Sequence, residues 1–215
     1  MTDAPTSFPH RYICIDGPIA VGKTTLCNLL AEHTQGRTVL EEFNDNPFLK
    51  QFYQDPAQVA FQTQVYFLLA RFKQQNALRQ QDLFSRTIVS DYLFAKDRIF
   101  AYLNLEADEL ALYEKIYELI RPQLVKPDLV IYLQAESSVL LERLQMRGRD
   151  MEQEVQASYL ENLTRHYNEY FQHYNESPLL ILETSNADVV ENPQVFNRIC
   201  KLIEKTTEGT HRIQL

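Results

Sequence analysis

The stretch RYICIDGPIAVGKTTLCNLLAEH, residues 11–33, decides the fold. It opens on an apolar, β-prone run, RYICI (11–15), and closes on a helix-period segment, TLCNLLAEH. Between them GPIAVGKT (17–24) fits the pattern G-x-x-x-x-G-K-[ST], in the strand-to-helix context that the motif needs. Gly17 and Gly22, two of only five glycines in the chain, let backbone N–H groups curl inward without a Cβ clash. The amides of the loop through Ile19, Ala20 and Val21, the helix start at Thr25 and the Lys23 ammonium surround the phosphates of a nucleotide. The Thr24 hydroxyl is placed to ligate Mg²⁺.

Further short apolar runs follow this one: RTVLEEF (37–43), TIVSD (87–91), PDLVIYLQ (127–134) and PLLILET (178–184). Helix-period segments separate them. Residues 57–80 place Phe61, Val65 and Phe72 on one face, and residues 156–175 do the same with Leu160, Leu163 and Tyr167. Strands alternating with helices predict an α/β fold, a parallel sheet covered by helices on both faces, as in P-loop NTPases. Ligands of such sheets sit at the carboxyl ends of the strands, so functional residues are expected just after each apolar run.

With 215 residues, 45% apolar and 23% charged, the chain reads as one domain with a sizeable core. Residues 1–10 and 207–215 are expected to be flexible flanks. The net charge of −8 argues against a broad nucleic-acid-binding face. No apolar run approaches the ~18 residues of a membrane span, and MTDAPTSFPHR is too polar for a signal peptide. Cys14, Cys27 and Cys200 are far apart and in apolar settings, and read as reduced core thiols of a cytoplasmic protein. A regulatory GTPase would carry N-K-x-D and D-x-x-G; neither occurs, and Asp91 is followed by Tyr92, Leu93 and Phe94. Phosphoryl transfer to a small acceptor is favoured.

Three clusters are candidates for that acceptor and its phosphates. Glu41, at the end of the second apolar run, is placed to take a proton from an attacking hydroxyl. Gln64 and Arg71, seven residues apart on one helix face and embedded among aromatic residues, have the hydrogen-bonding groups to read a nucleobase edge. RLQMRGRDME (143–152) carries Arg143, Arg147 and Arg149 around Gly148. Arginines on a lid, spanning about 144–155, would close over a transferring phosphoryl group and stabilise its charge.

Together these residues resemble the deoxynucleoside kinase family, and in particular its bacterial deoxyadenosine/deoxyguanosine kinase branch, from about Arg11 to Thr184. The resemblance implies transfer of the ATP γ-phosphate to the 5′-hydroxyl of a deoxynucleoside, a purine favoured. It further implies a homodimer, a five-stranded parallel sheet, Mg²⁺, and no nucleic-acid polymer or membrane as partner. By the same resemblance Glu41 is the general base, and Tyr53 (in NPFLKQFYQDP) and Glu152 contact the sugar 3′-hydroxyl. Gln64 and Arg71 line the base pocket, Arg143, Arg147 and Arg149 contact phosphate, and Lys23 and Arg147 act with Glu41 in catalysis. The rival readings are a nucleoside monophosphate kinase of thymidylate type and a non-catalytic nucleotide switch.

SRTIVSDYLFAKD (85–97) admits two registers. One sets Ser85-Arg86-Thr87 against the family's acid-Arg-Ser motif, ahead of the apolar pair. The other ends the strand at Asp91, at the carboxyl end where chemistry belongs, and is preferred. Asp91 is then the Mg²⁺-associated carboxylate beside Thr24, and Asp97 falls where the family places its base-selecting aspartate. Tyr92 stands where most of the family has arginine, which leaves a lid arginine or Arg71 to hold the 5′-hydroxyl and Glu41.

Overall fold

The computed structural model describes residues 8–80, 87–149, 152, 155–187 and 192–215. In chain order it contains β1 (Tyr12–Asp16), α1 (Lys23–Thr34), β2 (Arg37–Val39), α2 (Leu49–Gln54), α3 (Pro56–Gln80) and β3 (Ile88–Ser90). These are followed by α4 (Lys96–Asn104), α5 (Ala107–Ile120), β4 (Leu129–Gln134), α6 (Ser137–Arg147) and α7 (Ala157–Gln172). The chain then forms β5 (Leu179–Glu183), α8 (Pro193–Lys205) and β6 (Thr210–Gln214).

All described strand pairings are parallel, in the order β2-β3-β1-β4-β5-β6. The chain goes to one side of β1 for β2 and β3 and to the other for β4, β5 and β6. The reversal puts a crevice at the carboxyl end of β1, where ligands of such sheets bind. Successive side chains of β4 alternate between two cores. Leu129, Ile131 and Leu133 pack with Leu26 and Leu30 of α1 and Ile199 and Ile203 of α8. Val130 and Tyr132 face the other way, onto Leu163, Tyr167 and Phe171 of α7. The Tyr132 and Phe171 rings stack at 4.3 Å, so part of the aromatic wealth of the sequence is core. The three cysteines are free and buried, as the sequence predicts. Among the described residues no helix is long and apolar enough to cross a membrane.

The sheet has six strands where five were expected. Within residues 207–215, expected to be flexible, Thr210–Gln214 form β6, which pairs with β5 from Leu179↔Thr210 to Glu183↔Gln214. THRIQ carries no apolar run because it is an edge strand with mostly exposed side chains, held by its backbone. At the other end, Phe8 and His10 are buried, so residues 8–10 belong to the folded body and are not a flexible flank. Phe8 sits against the His33 ring at 5.8 Å, and His10 Nε2 lies 3.1 Å from the Ile203 carbonyl oxygen. Residues 1–7, Arg86 and the lid positions 150, 151, 153 and 154 lie outside the described residues.

Candidate active site

The loop between β1 and α1 has the backbone that its glycines predict. Gly22 has φ of 104°, the left-handed region that favours glycine. A Cβ on Gly17, where φ is 151°, would lie 2.4 Å from the Leu133 carbonyl oxygen, so only glycine fits. Lys23 Nζ donates to the carbonyls of Gly17 and Pro18, each at 2.8 Å, and turns back across the loop. Burial, then the neighbouring Lys96 ammonium, push Lys23 down to about 8. A phosphate oxygen there would relieve both effects.

Asp91, one residue past β3, ties this loop to β2. Its Oδ2 accepts from the Thr24 hydroxyl at 2.6 Å, and its Oδ1 accepts from the Glu41 backbone N–H at 2.8 Å. β3 therefore ends at Ser90, and the carboxylate of Asp91, the next residue, lies beside the phosphate loop. Two hard oxygen donors side by side suit Mg²⁺, which keeps water and phosphate oxygens for the rest of its shell.

Glu41 lies two residues past β2, with a side chain 16% exposed and cations on both of its oxygens. Arg71 donates to Oε1 through Nε at 3.0 Å and again through Nη2. Lys96 Nζ donates to Oε2 at 2.7 Å. Burial alone would raise the Glu41 carboxyl, but Lys96 and then Arg71 hold it well below the usual carboxylate range. Arg71 also reaches Asp97 through Nη1, so one guanidinium bridges two carboxylates. Asp97 has no exposed surface, and burial, only partly offset by Arg71, pushes it up to about 6. Tyr92 is buried beneath this pair, its ring 5.8 Å from the Arg71 guanidinium and its hydroxyl donating to Gln74 at 2.7 Å. Of the cations that the sequence left open for Glu41, Arg71 reaches it and Lys96 joins it, while Arg147 and Arg149 pair with Glu152. Lys96 is the cleft residue that the sequence reading missed, although its place between Asp91 and Asp97, beside Phe94 and Phe100, was a usable signal.

A cleft enclosing roughly 800 Å³, solvent at its mouth included, connects these groups. Ile19, Ala20, Lys23, Thr24 and Asp91 line it at the phosphate end, and Tyr53, Gln64, Phe67, Arg71 and Phe100 line it further in. Arg147, Arg149 and Glu152 lie across it. Arg147 Nε donates to Glu152 at 3.1 Å, and the Arg149 guanidinium packs 4.3 Å from the Phe43 ring centre. α6 ends at Arg147, and Gly148, with a φ of 62°, is its left-handed cap. Of the expected site residues, Gly17, Val21, Gly22 and Thr25 shape the loop without lining the cleft, and Asp97 lies behind Arg71. Arg143 is outside the lining, and its Nη2 donates to the Thr184 carbonyl at 2.8 Å.

The family model for deoxynucleoside kinase matches residues 13–208. The chain belongs to the deoxynucleoside kinase family. It is an ATP-dependent phosphotransferase acting on deoxynucleosides. It is 33% identical to a deoxyguanosine kinase of Bacillus subtilis, over 90% of this chain and 96% of that protein. It is 37% identical to a deoxyadenosine kinase of Dictyostelium discoideum, over 77% of this chain and 69% of that protein. The solved structure of a deoxyadenosine kinase from M. mycoides with bound dCTP has a TM-score of 0.75 at 24% identity, over 89% of this chain and 97% of that one. That likeness establishes the shared fold.

Proposed function

We propose that the enzyme transfers the γ-phosphate of ATP to the 5′-hydroxyl of a purine deoxynucleoside, with Glu41 as general base. The observation that carries this reading is the convergence on one cleft of Lys23, the Thr24–Asp91 pair and a carboxylate held ionised by two cations. Glu41 takes the 5′-hydroxyl proton as the oxygen attacks phosphorus, and the bond to the ADP oxygen breaks. Lys23, the loop amides, Arg147 and Arg149 hold the phosphates and their developing charge. Thr24 and Asp91 would hold Mg²⁺, which supplies charge neutralisation on the triphosphate when bound.

Tyr53 and Glu152 line the cleft, which supports their contact with a 3′-hydroxyl, and Gln64 and Arg71, with Asp97 behind Arg71, support a base end further in. Gln64 Oε1 is buried at the cleft lining and has no hydrogen-bond partner. An unpaired buried acceptor costs about 1–3 kcal/mol, so N–H groups of a base fit there. The deoxyguanosine and deoxyadenosine kinases among the relatives support a purine. The exposed Leu69 on α3 and Leu112 and Leu119 on α5 support a homodimer, and the free buried thiols support a cytoplasmic setting. The test is incubation of the purified protein with Mg-ATP and each deoxynucleoside in turn. Deoxyadenosine or deoxyguanosine 5′-monophosphate is expected, with turnover at least ~10²-fold lower in Glu41→Gln. Wild-type turnover in Glu41→Gln would remove Glu41 from its role.

A further inference from the structure

We infer that Lys96 is a positioning residue for the reaction: its ammonium holds the Glu41 carboxylate by Oε2, the oxygen that Arg71 leaves free. The inference rests on the reading of Glu41 as general base. Lys96 is 5% exposed and begins α4, a placement that burial and the helix dipole both oppose for a cation. Among the described residues its one ion-pair partner is Glu41, at 2.7 Å, and its ammonium lies 5.5 Å from the centre of the Phe100 ring. Tyr92, the residue that directly follows Asp91, is turned away to Gln74 and makes no hydrogen bond to Glu41.

The division of labour between the two cations gives Lys96 its purpose. Arg71 occupies Oε1 of Glu41 but is shared with Asp97 at the base end of the cleft. Any contact that draws this guanidinium toward a nucleobase loosens its grip on Glu41. Lys96 sits on the other oxygen, Oε2, and among the described residues no second carboxylate lies within ion-pair distance of it. It therefore keeps Glu41 aimed whether or not Arg71 is engaged elsewhere. Lys96 transfers no proton in this scheme; the 5′-hydroxyl proton goes to Glu41.

The test is a Lys96 series assayed beside Glu41→Gln, with thermal unfolding recorded for each variant. Lys96→Met is expected to lower kcat by ~10²-fold with the KM for ATP unchanged, the scale of a lost catalytic group. Lys96→Arg is expected to recover most of that loss. Propylammonium added to Lys96→Ala is expected to restore turnover in a saturable way, while propanol does not. Should Lys96→Met fail to fold, the arginine variant and the amine rescue decide the matter. Normal kcat in Lys96→Met with an impaired Glu41→Gln overturns the inference but not the general base. Loss in Lys96→Met that neither arginine nor propylammonium restores overturns it in favour of a packing role. Normal turnover in Glu41→Gln overturns the general-base reading itself.

Discussion

The Glu41 backbone N–H donates to Asp91 Oδ1 at 2.8 Å, so the residue that follows β3 fixes where the chain after β2 presents its carboxylate. The other oxygen of Asp91 accepts from Thr24, which couples the acceptor side of the cleft to the phosphate side. Asp91→Ala is therefore expected to do two things together. It raises the Mg²⁺ concentration needed for half-maximal activity, and it lowers kcat at saturating Mg²⁺ because Glu41 loses its anchor. A Mg²⁺ titration of the initial rate separates the two. Arg86→Ala is expected to leave both unchanged; the reverse pattern would restore the register rejected for residues 85–97.

Lys23→Ala is expected to abolish turnover while leaving the protein folded. The Lys23 ammonium bonds only loop carbonyls in the described structure, and burial already pushes it down to about 8. Removing it takes away phosphate binding at little structural cost. Circular dichroism and a coupled ADP-release assay check both halves, and retained turnover would contradict the nucleotide site.

Gly17→Ala is expected to damage the fold and the loop together. Its Cβ would meet the Leu133 carbonyl oxygen at 2.4 Å, a backbone atom that cannot move aside alone. At Gly148 a Cβ meets nothing within 4 Å, and the cost there is the left-handed backbone, about 1 kcal/mol. In a chain of this size that corresponds to roughly 2–4 °C in Tm. Thermal unfolding is expected to place Gly17→Ala well below Gly148→Ala.

Asp97 makes stability depend on pH in a specified direction. Its folded value, pushed up to about 6 by burial, lies above the ordinary 3.8. A carboxyl that holds its proton longer when folded contributes fully at low pH, and the contribution is lost as pH rises through about 6. Asp97→Asn cannot titrate, so the stability of wild type relative to it is expected to fall between pH 4 and 7, by about 2–3 kcal/mol. Urea unfolding of both proteins across that range checks the sign. A rising difference would mean that Arg71 outweighs burial.

Glu152 pairs with both Arg147 and Arg149, and the Arg147 pair is the tighter, through Nε and Nη2 onto one oxygen. Arg147→Ala is expected to lower kcat by at least ~10²-fold through lost charge stabilisation. Glu152→Ala is expected to raise the KM for the deoxynucleoside more than the KM for ATP. Steady-state kinetics in each substrate distinguishes them.

The parts of this molecule that repeat a local pattern were legible in the sequence. GPIAVGKT (17–24) specifies a backbone conformation, and the apolar runs at 127–134 and 178–184 specify buried strands, so β1, β4, β5 and the phosphate loop follow from residue type alone. β2 was legible only in part, since the run 37–43 yields a strand of three residues, Arg37–Val39, and the rest turns into the cleft. β6 was not legible, because an exposed edge strand is chosen by a neighbour's backbone and not by its own side chains. Lys96 was missed for a related reason. A lysine normally belongs to the surface, and only the three-dimensional meeting of α4 with the end of β2 gives it a carboxylate.

The pairing of β6 with β5 has a practical consequence for anyone handling the protein. The backbone N–H of Leu215 still donates to the Glu183 carbonyl at 3.2 Å, so the hydrogen-bonded edge extends through Leu215. Trimming after Lys205, or forcing a bulky C-terminal tag into this edge, would uncover the apolar strand LLILE (179–183) as a template for other chains. A sample clipped by protease near residue 206 is expected to precipitate before it loses its active site.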